Sequence, residues 1–388
     1  VDRLVSATEQ IIAKPDEIYL IDVFETKVNG LDFLTQEQKA TYIQENRAAL
    51  SEYFVPAYRS FINEIKALKG TGKNEKGLAG LEKGKAYYTY LLKVQTGTDK
   101  SVEEVIKAID DRLKDVMMDI VGLMTTDPDV MTRYSTALPT DTPDPAAILS
   151  QLEKDIGADY PAVSKITYRI SDVHPSMADS TSPAFYFIPP LDASDENSIY
   201  LNQGKLGDYT SVFSTLAHEG YPGHLYQTNY FFDNTDSLFH KSLSFNGYVE
   251  GWAHYIENLS YAYLVPKDEN LVKLLELDSL YGLLFQCRID IGIHYEGWDK
   301  EKLYNYVSNM GYDRTASDEL YVFMLDYAGQ TLKYGVGNLE MLELREYAET
   351  ELGSKFDQKA FHKAILDIGP APFSVVRTAV EAYVKGAK

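Results

Sequence analysis

The sequence of 388 residues contains a single cysteine, Cys287, so no disulfide can form within the chain. Cys287 lies in an apolar helical pattern, which predicts a buried and unreactive thiol. No segment approaches the roughly 18 apolar residues that a transmembrane helix needs, and no signal peptide is recognisable. The chain begins at Val1 instead of a methionine, so we expect a processed form or an excised piece that lacks an N-terminal region. Two locations stay open: the cytoplasm, or a secreted or lipid-anchored position if a signal was removed.

Basic residues are scarce relative to acidic ones, with 37 Lys and Arg against 58 Asp and Glu and a formal net charge of −21. A phosphate backbone needs neutralising lysines and arginines, so this balance argues against nucleic-acid binding. The acidity is interpreted mainly as a source of solubility, with a preference for basic or neutral substrates as the alternative. A hydrophobic content of 45% and a charged content of 24% are typical of a globular protein with a large core.

Helical patterns dominate, and one interruption divides them. Spaced apolar residues predict a helix over 36–68, and Ser101 followed by Glu104 has the capping-box pattern of another that runs to about Met124. The Pro-, Asp- and Thr-rich stretch 125–145 predicts a linker. We therefore expect residues 1–388 to form a single catalytic domain with three parts: a helical N-terminal lobe over about 1–125, a linker over about 126–146 and a metal-site lobe over about 147–388.

Short strands are predicted before the histidine-rich region. Residues 166–171 alternate, residues 184–188 are aromatic and β-branched, and residues 197–202 have the pattern of a hairpin partner. Long helical patterns then follow, over about 209–218, 247–263, 271–296, 299–310, 313–333, 339–352 and 358–367. The sequence thus predicts a mainly α fold with one small antiparallel sheet.

The segment His218–His224 reads HEGYPGH and carries two histidines with a carboxylate between them. A zinc ion in a hydrolytic site takes three ligands from His, Asp or Glu and leaves a fourth position for water. The usual motif places its histidines at i and i+4, whereas the i+6 spacing here sets them about 120° apart on an ideal helix. Because Pro222 and Gly223 lie between them, we predict a break over Gly220–Gly223 that returns His224 toward His218.

Glu250 is the natural third ligand, so the favoured Zn²⁺ site is His218, His224 and Glu250. His254 follows Glu250 at i+4 on the same helical face, and is either an outer-shell partner or a ligand in place of His224. Glu219, adjacent to a ligand, is the candidate general base.

These residues resemble the signature of a large, mainly bacterial family, domain of unknown function 885, in which His-Glu-x-x-Pro-Gly-His precedes Glu-Gly-Trp-Ala. Further matches cover most of the chain, at Tyr87–Thr98, Gly292–His294 with Gly297-Trp298, Gly329-Gln330 with Tyr334, and Phe361-His362. That family is similar to the zinc-peptidase superfamily of thimet oligopeptidase and carboxypeptidase Taq. The resemblance implies a helical, zincin-like metallopeptidase fold whose small sheet lines a central cleft.

Groups that stabilise an oxyanion are expected on the later helices. Asp290 and His294 are spaced i, i+4, so the carboxylate could orient the imidazole. Arg288 could bind a substrate carboxylate, with a buried salt bridge as an equal alternative. Tyr327 and Tyr334 are two helical turns apart, and the resemblance implies a pair of tyrosines at that spacing that donate to the oxyanion.

Together these patterns predict a zinc-dependent, metallopeptidase-like hydrolase that cleaves a peptide or small amide, with Glu219 activating water and His294 and Tyr334 steadying the oxyanion. In related peptidases an edge strand holds an extended peptide, a role open to residues 184–188 beside that of a plain structural hairpin. Two alternatives remain: a zinc hydrolase of a non-peptide amide or ester, and a non-catalytic binding protein with a degenerate site. Trp252 and Trp298 are predicted to be packing residues, and the oligomeric state is left open.

Overall fold

The computed structural model describes residues 1–72, 74–136, 144–193, 195–265 and 267–388. They form two compact units. Unit 1 comprises Val1–Asn74, Asp172–Ser182 and Asn202–Lys205, and unit 2 comprises Glu75–Ser171, Pro183–Leu201 and Leu206–Lys388. Every predicted metal ligand therefore belongs to unit 2.

Unit 1 is built from four helices: α1 (Asp2–Ile11), α2 (Tyr19–Asn29), α3 (Gln36–Ala49) and α4 (Val55–Ala67). A π-helical turn, Leu50–Phe54, joins α3 directly to α4, so the helix predicted over 36–68 is confirmed. The side chain of Thr35 caps α3 in a capping box with Gln38. The core of this unit contains Ile18, Ile21, Leu50 and Val55.

Unit 2 contains the remaining described helices. They are α5 (Gly84–Thr96), α6 (Val102–Thr126), α7 (Val130–Thr136), α8 (Pro145–Asp155), α9 (Tyr209–Glu219), α10 (His224–Asp233), α11 (Leu238–Lys241), α12 (Asn246–Leu264), α13 (Glu269–Ile291), α14 (Lys300–Val307), α15 (Arg314–Asp326), α16 (Leu332–Leu352), α17 (Gln358–Leu366) and α18 (Phe373–Ala387). The capping box predicted at Ser101 is present at the start of α6. No described helix combines the length and the apolar character that a membrane crossing requires.

The expected linker is partly helical. It contains α7, and α8 begins at Pro145, while residues 137–143 of that stretch lie outside the described residues. The two units divide between Asn74 and Glu75, because α5 and α6 pack on α16 and α13 in the larger unit. The expected single catalytic domain stays a prediction.

The small sheet has three strands, β1 (Tyr168–Asp172), β2 (Ala184–Phe187) and β3 (Asn197–Leu201), in the order β1-β3-β2. β2 pairs antiparallel with β3, with Phe185 opposite Tyr200 and Tyr186 opposite Ile199. The predicted strands and hairpin pairing are confirmed. β2 lies at an edge of this sheet, so one side of its backbone turns away from β3.

Helix α12 lies at the centre of unit 2 and packs on α9, α13 and α16. Its approach to α16 is unusually close, since a Cβ added to Gly251 would lie 2.5 Å from the carbonyl carbon of Gly337. Only glycine permits two helices to meet at this distance. The contact fixes the position of the neighbouring Glu250 along the α16 axis.

One predicted helix is wrong. The pattern over 313–333 was expected to be continuous, but α15 ends at Asp326 and α16 begins at Leu332. The reason is a long-range contact: the Asp290 carboxylate, fully buried on α13, accepts hydrogen bonds from Gly329 N and Thr331 Oγ1. Gly329 adopts φ +74°, a left-handed conformation that ends a helix.

Candidate metal centre

The two motif histidines lie on either side of a tight turn. His218 is in the last turn of α9, which ends at Glu219, and His224 is the first residue of α10. A Cβ on Gly223 would lie 1.8 Å from the carbonyl oxygen of His218, so only glycine fits this turn. The break predicted over Gly220–Gly223 is confirmed.

Trp252 connects this turn to α12. Its indole Nε1 donates to the carbonyl of Pro222 at 3.0 Å, and the ring is fully buried. Trp252 lies two residues after Glu250, so the same helix holds the turn and supplies the carboxylate. The predicted packing role is confirmed, and the hydrogen bond adds a positioning role.

The three predicted ligands converge. The imidazole rings of His218 and His224 have centroids 4.7 Å apart. Glu250 Oε2 lies 3.3 Å from His224 Nε2 and 3.7 Å from His218 Nε2. The side chains are only 12%, 13% and 18% exposed, so all three are largely shielded from solvent.

This spacing suits zinc. Ligand bonds of about 2.0–2.2 Å in a tetrahedron place neighbouring donor atoms about 3.3–3.5 Å apart. The donor atoms of His218, His224 and Glu250 lie within 4.8 Å of one another, and the separations of 3.3 and 3.7 Å from Glu250 are close to that range. Two imidazole nitrogens and one carboxylate oxygen are also the donor set of many hydrolytic zinc sites. The residues therefore fit the ion, and zinc binding itself stays a prediction.

Glu219 is held beside this cluster by the sheet. Its Oε2 accepts a hydrogen bond of 2.7 Å from the backbone N–H of Tyr186 on β2. The free edge of β2 thus faces the carboxylate predicted to be the general base. The side chain is half-buried, so solvent can still reach it.

A second carboxylate, Glu257, lies behind the histidines. Its Oε2 is 3.2 Å from His218 Nδ1 and 2.8 Å from His254 Nδ1. His218 therefore presents Nε2 to Glu250 and Nδ1 to Glu257, the arrangement in which an outer carboxylate fixes the orientation of a metal-binding imidazole. His254 groups with Glu257 and His218, whereas His224 groups with Glu250 and His218. Both triads have the spacing of metal ligands and share His218, and His224 stays the favoured ligand because Glu257 approaches the Nδ1 atoms of His218 and His254, whereas Glu250 approaches the Nε2 atoms of His218 and His224.

The cluster is strongly polarised. Burial alone lowers the pKa of His218, but hydrogen bonds with Glu250 and Glu257 outweigh it and raise that pKa to about 10. Burial likewise raises the pKa of Glu250 and of Glu257, yet their histidine partners hold both values well below the usual range for a carboxyl group. The carboxylates are thus ionised and the site attracts positive charge.

Lys333 and Tyr334, at the start of α16, complete the surroundings. Lys333 Nζ donates to Glu250 Oε1 at 3.0 Å, which leaves Oε2 to face the histidines. The Tyr334 ring lies edge-on to His254, with centroids 5.3 Å apart, and Lys333 Nζ lies 4.5 Å from the centre of that ring. Burial, followed by the charge of Glu250, raises the pKa of the Tyr334 hydroxyl, so this group is a hydrogen-bond donor at neutral pH.

A family model described as "Bacterial protein of unknown function (DUF885)" matches residues 1–380. The chain belongs to this family. No curated protein matches it significantly. The crystal structure of a candidate lipoprotein from Colwellia psychrerythraea is 21% identical, with a TM-score of 0.83, over 98% of this chain and 69% of that one. A candidate lipoprotein of unknown function from Shewanella oneidensis is 17% identical, with a TM-score of 0.60, over 96% and 72% of the two chains. At these identities the likeness establishes the fold alone.

His294 of this DUF885 protein lies in a different environment from the one predicted. Its ring is 1% exposed, Nδ1 accepts from Leu78 N at 3.1 Å, and Nε2 lies 2.8 Å from the carbonyl of Met324. Asp290 was expected to orient it, but that carboxylate instead accepts from Tyr88, Gly329 and Thr331. Because both ring nitrogens are engaged by the backbone, the contacts describe a structural histidine, and the oxyanion role predicted for it loses its geometric basis.

The contacts of Arg288 and Tyr327 that the structure describes are also with residues outside the metal cluster. Arg288 is buried in salt bridges with Asp110 and Glu296, at 2.8 and 2.7 Å, which is the structural alternative considered for it. Tyr327 is 51% exposed and packs on Phe323. The break between α15 and α16 separates Tyr327 from Tyr334, so the shared helical face predicted for the pair is absent.

Two further single-residue predictions are met. Cys287 is fully buried, and burial raises the pKa of its thiol to about 12, as expected for an unreactive group. Trp298 is buried and packs on Gly292, Arg288 and Tyr306.

Sequence reasoning missed Glu257 and Lys333. Glu257 follows Glu250 at i+7 and His254 at i+3, so one helical face carries all three, and this spacing could have revealed it. Lys333 precedes Tyr334 but meets Glu250 through the packing of α16 on α12, for which the sequence holds no local signal.

Proposed function

We propose that this chain is a zinc-dependent hydrolase of the metallopeptidase type. The observation that carries the proposal is the convergence of His218, His224 and Glu250 around one point, with Glu219 beside them. His218 Nε2, His224 Nε2 and Glu250 Oε2 would hold the ion. When bound there, zinc supplies Lewis acidity that polarises a substrate carbonyl and lowers the pKa of a water molecule.

Glu219 is the proposed general base. It adjoins His218 in the chain, and its Oε2 is anchored by the N–H of Tyr186 at 2.7 Å. That bond fixes the carboxylate while Oε1 remains to accept a proton from the attacking water and to pass it to the leaving amine. Glu257 keeps the His218 ring in orientation by accepting from Nδ1.

Tyr334 is the proposed oxyanion donor. Its ring lies against His254 and beneath Lys333, and its hydroxyl stays protonated at neutral pH because burial and the nearby carboxylates raise its pKa. A donor held beside the ion would stabilise negative charge that develops on the carbonyl oxygen. Lys333 steadies Glu250 through Oε1.

Peptides are the proposed substrates, because the edge of β2 that turns away from β3 faces Glu219. An extended chain can add to a strand edge through main-chain hydrogen bonds, which would bring its carbonyl groups past the base. The resemblance of the motif to the thimet oligopeptidase and carboxypeptidase Taq superfamily supports the same substrate class and a zincin-like arrangement. The description of both structural relatives as candidate lipoproteins favours an extracellular, lipid-anchored location for the full protein.

Glu219→Gln tests the mechanism. We expect the variant to bind zinc like the parent protein and to lose about 10²–10⁴-fold in peptide hydrolysis, the usual contribution of a positioned base. Glu52→Gln, an exposed carboxylate of unit 1, is the matched control and should retain full turnover. Zinc content is measured by elemental analysis and turnover with quenched fluorescent peptides. Undiminished hydrolysis by Glu219→Gln would exclude the mechanism, and hydrolysis of esters or non-peptide amides alone would reassign the substrate.

A further inference from the structure

We propose that Phe185, Phe187 and Tyr200 form an aromatic subsite that selects an extended peptide with a large apolar side chain beside the metal centre. The inference rests on the proposed function and names the substrate feature that the site recognises. These three residues are called the aromatic subsite below.

The aromatic subsite is a continuous set of rings on one face of the sheet. Phe185 stacks on Tyr200 with centroids 5.1 Å apart, and Phe187 lies 6.1 Å from the same Tyr200 ring. Phe185 and Phe187 are themselves 6.2 Å apart. Strand pairing accounts for this, because Phe185 is opposite Tyr200 and side chains two apart share a face.

This surface is unusual for an edge strand. Natural sheet edges carry charges or are covered, because an exposed apolar edge invites pairing with other chains. Here residues 183–190 read PAFYFIPP and contain no charged residue in a chain of net charge −21. Phe187 is 61% exposed, next to the half-buried Phe185 and Tyr200 on the same face. The exposed ring is therefore available to an apolar side chain of a ligand.

The backbone connects the aromatic subsite to the catalytic carboxylate. Tyr186 lies between the two phenylalanines, and its N–H points away from β3 to Glu219. In an antiparallel pair the N–H and C=O of one residue point to the same side, so the Tyr186 carbonyl also faces the free edge. A peptide at this edge would donate to that carbonyl within reach of Glu219.

Alternation then fixes which substrate side chain meets the rings. The substrate residue opposite Tyr186 shares its face, and the residues on either side of it share the face of Phe185 and Phe187. A large apolar side chain at one of these flanking positions would cover the exposed Phe187 ring. An acidic side chain there would gain no partner and would be repelled by the negative charge of the protein.

The test uses zinc-loaded protein and a set of quenched fluorescent octapeptides that differ at one position, with Phe, Leu, Ala or Asp. The set is repeated with that position moved along the peptide. We expect kcat/KM to be about 10–100-fold higher for Phe or Leu than for Ala at one position, as apolar pockets commonly achieve. Phe187→Ala should reduce this ratio to within about threefold, and Phe187→Leu should restore most of it.

Phe33→Ala is the matched control, since Phe33 is 79% exposed on unit 1. It should leave the ratio unchanged, and circular dichroism should show every variant folded. Peptide cleavage with no side-chain preference, or with a preference that survives Phe187→Ala, would overturn the aromatic subsite while leaving the proposed hydrolase intact. Failure of the wild-type protein to cleave any peptide would overturn both.

Discussion

The turn at Gly223 supplies the sharpest test of the site. In Gly223→Ala the new Cβ would lie 1.8 Å from the carbonyl oxygen of His218, whereas real Cβ contacts are essentially never shorter than 3.0 Å. The backbone must therefore open by at least 1.2 Å, the difference between those distances. The atom that has to yield is a backbone oxygen of a predicted ligand, so no flexible side chain can absorb the change.

A backbone opening of this size should directly change the spacing of the predicted metal ligands. The present spacing of Glu250 Oε2 from His224 Nε2 is 3.3 Å, already at the value that a tetrahedral zinc site needs. Mutations that disturb the orientation of metal ligands typically cost about 10–100-fold in metal affinity, and a displacement of about 1 Å lies at the upper end of such disturbances. We expect zinc affinity to fall by about 100-fold, equivalent to about 2.7 kcal/mol.

The assay is a zinc titration of metal-free protein in competition with a chromophoric chelator, with circular dichroism to verify folding. Gly282→Ala is the matched control, because nothing lies within 4 Å of its added Cβ in the middle of α13. It should keep the parent affinity and gain up to about 1 kcal/mol of stability from helix propensity. Unchanged zinc affinity in folded Gly223→Ala would refute the His224 site and would favour His254 as the ligand.

Two further predictions concern buried histidines outside the metal cluster. Burial lowers the pKa of His362 to about 3, and the neutral ring bridges the Tyr255 hydroxyl and the Asp159 carbonyl. Because the unfolded state binds the proton more readily, the free energy of unfolding should fall as the pH drops below about 6.5. The loss should be about 2 kcal/mol at pH 5. Urea unfolding at pH 7 and 5 checks this, and a His362→Gln variant with the same pH dependence would contradict it. His294→Ala should cost about 2–4 kcal/mol of stability, because it leaves Leu78 N and Met324 O without partners. The folded variant should keep its zinc affinity. A selective loss of zinc binding would instead show that His294 acts in the metal site.

The parts of the structure that the sequence predicts well are those set by local chemistry. Pro222 and Gly223 break a helix whatever surrounds them, and the capping box at Ser101 is satisfied within one turn. The hairpin of β2 and β3 follows from alternation over a few residues. The short helix α8 lacks a long periodic pattern and is not predicted as a separate element, whereas α10 matches the helix expected to resume at Leu225 after the break.

The wrong predictions share a different cause, namely contacts between distant residues. The helix over 313–333 ends early because Asp290, some 40 positions away, takes the backbone N–H of Gly329. The same carboxylate was predicted to orient His294, which the backbone holds instead. Spacing along one helix could not reveal the bond of Asp290 to Gly329 or the backbone partners of His294, since tertiary contacts override local preference.

The irregular spacing of the motif gives the site a rigidity that a continuous helix would lack. His218 and His224 are set by the contact of Gly223 with a backbone oxygen, and Glu250 by the contact of Gly251 with Gly337. These contacts place the backbones of the three ligands relative to one another, while Glu257 and Lys333 hold the side chains of His218 and Glu250. Around them the carboxylates of Glu219, Glu250 and Glu257 outnumber the Lys333 ammonium that pairs with Glu250. The same carboxylates raise the pKa of His218, and a divalent cation bound there would relieve the excess of negative charge.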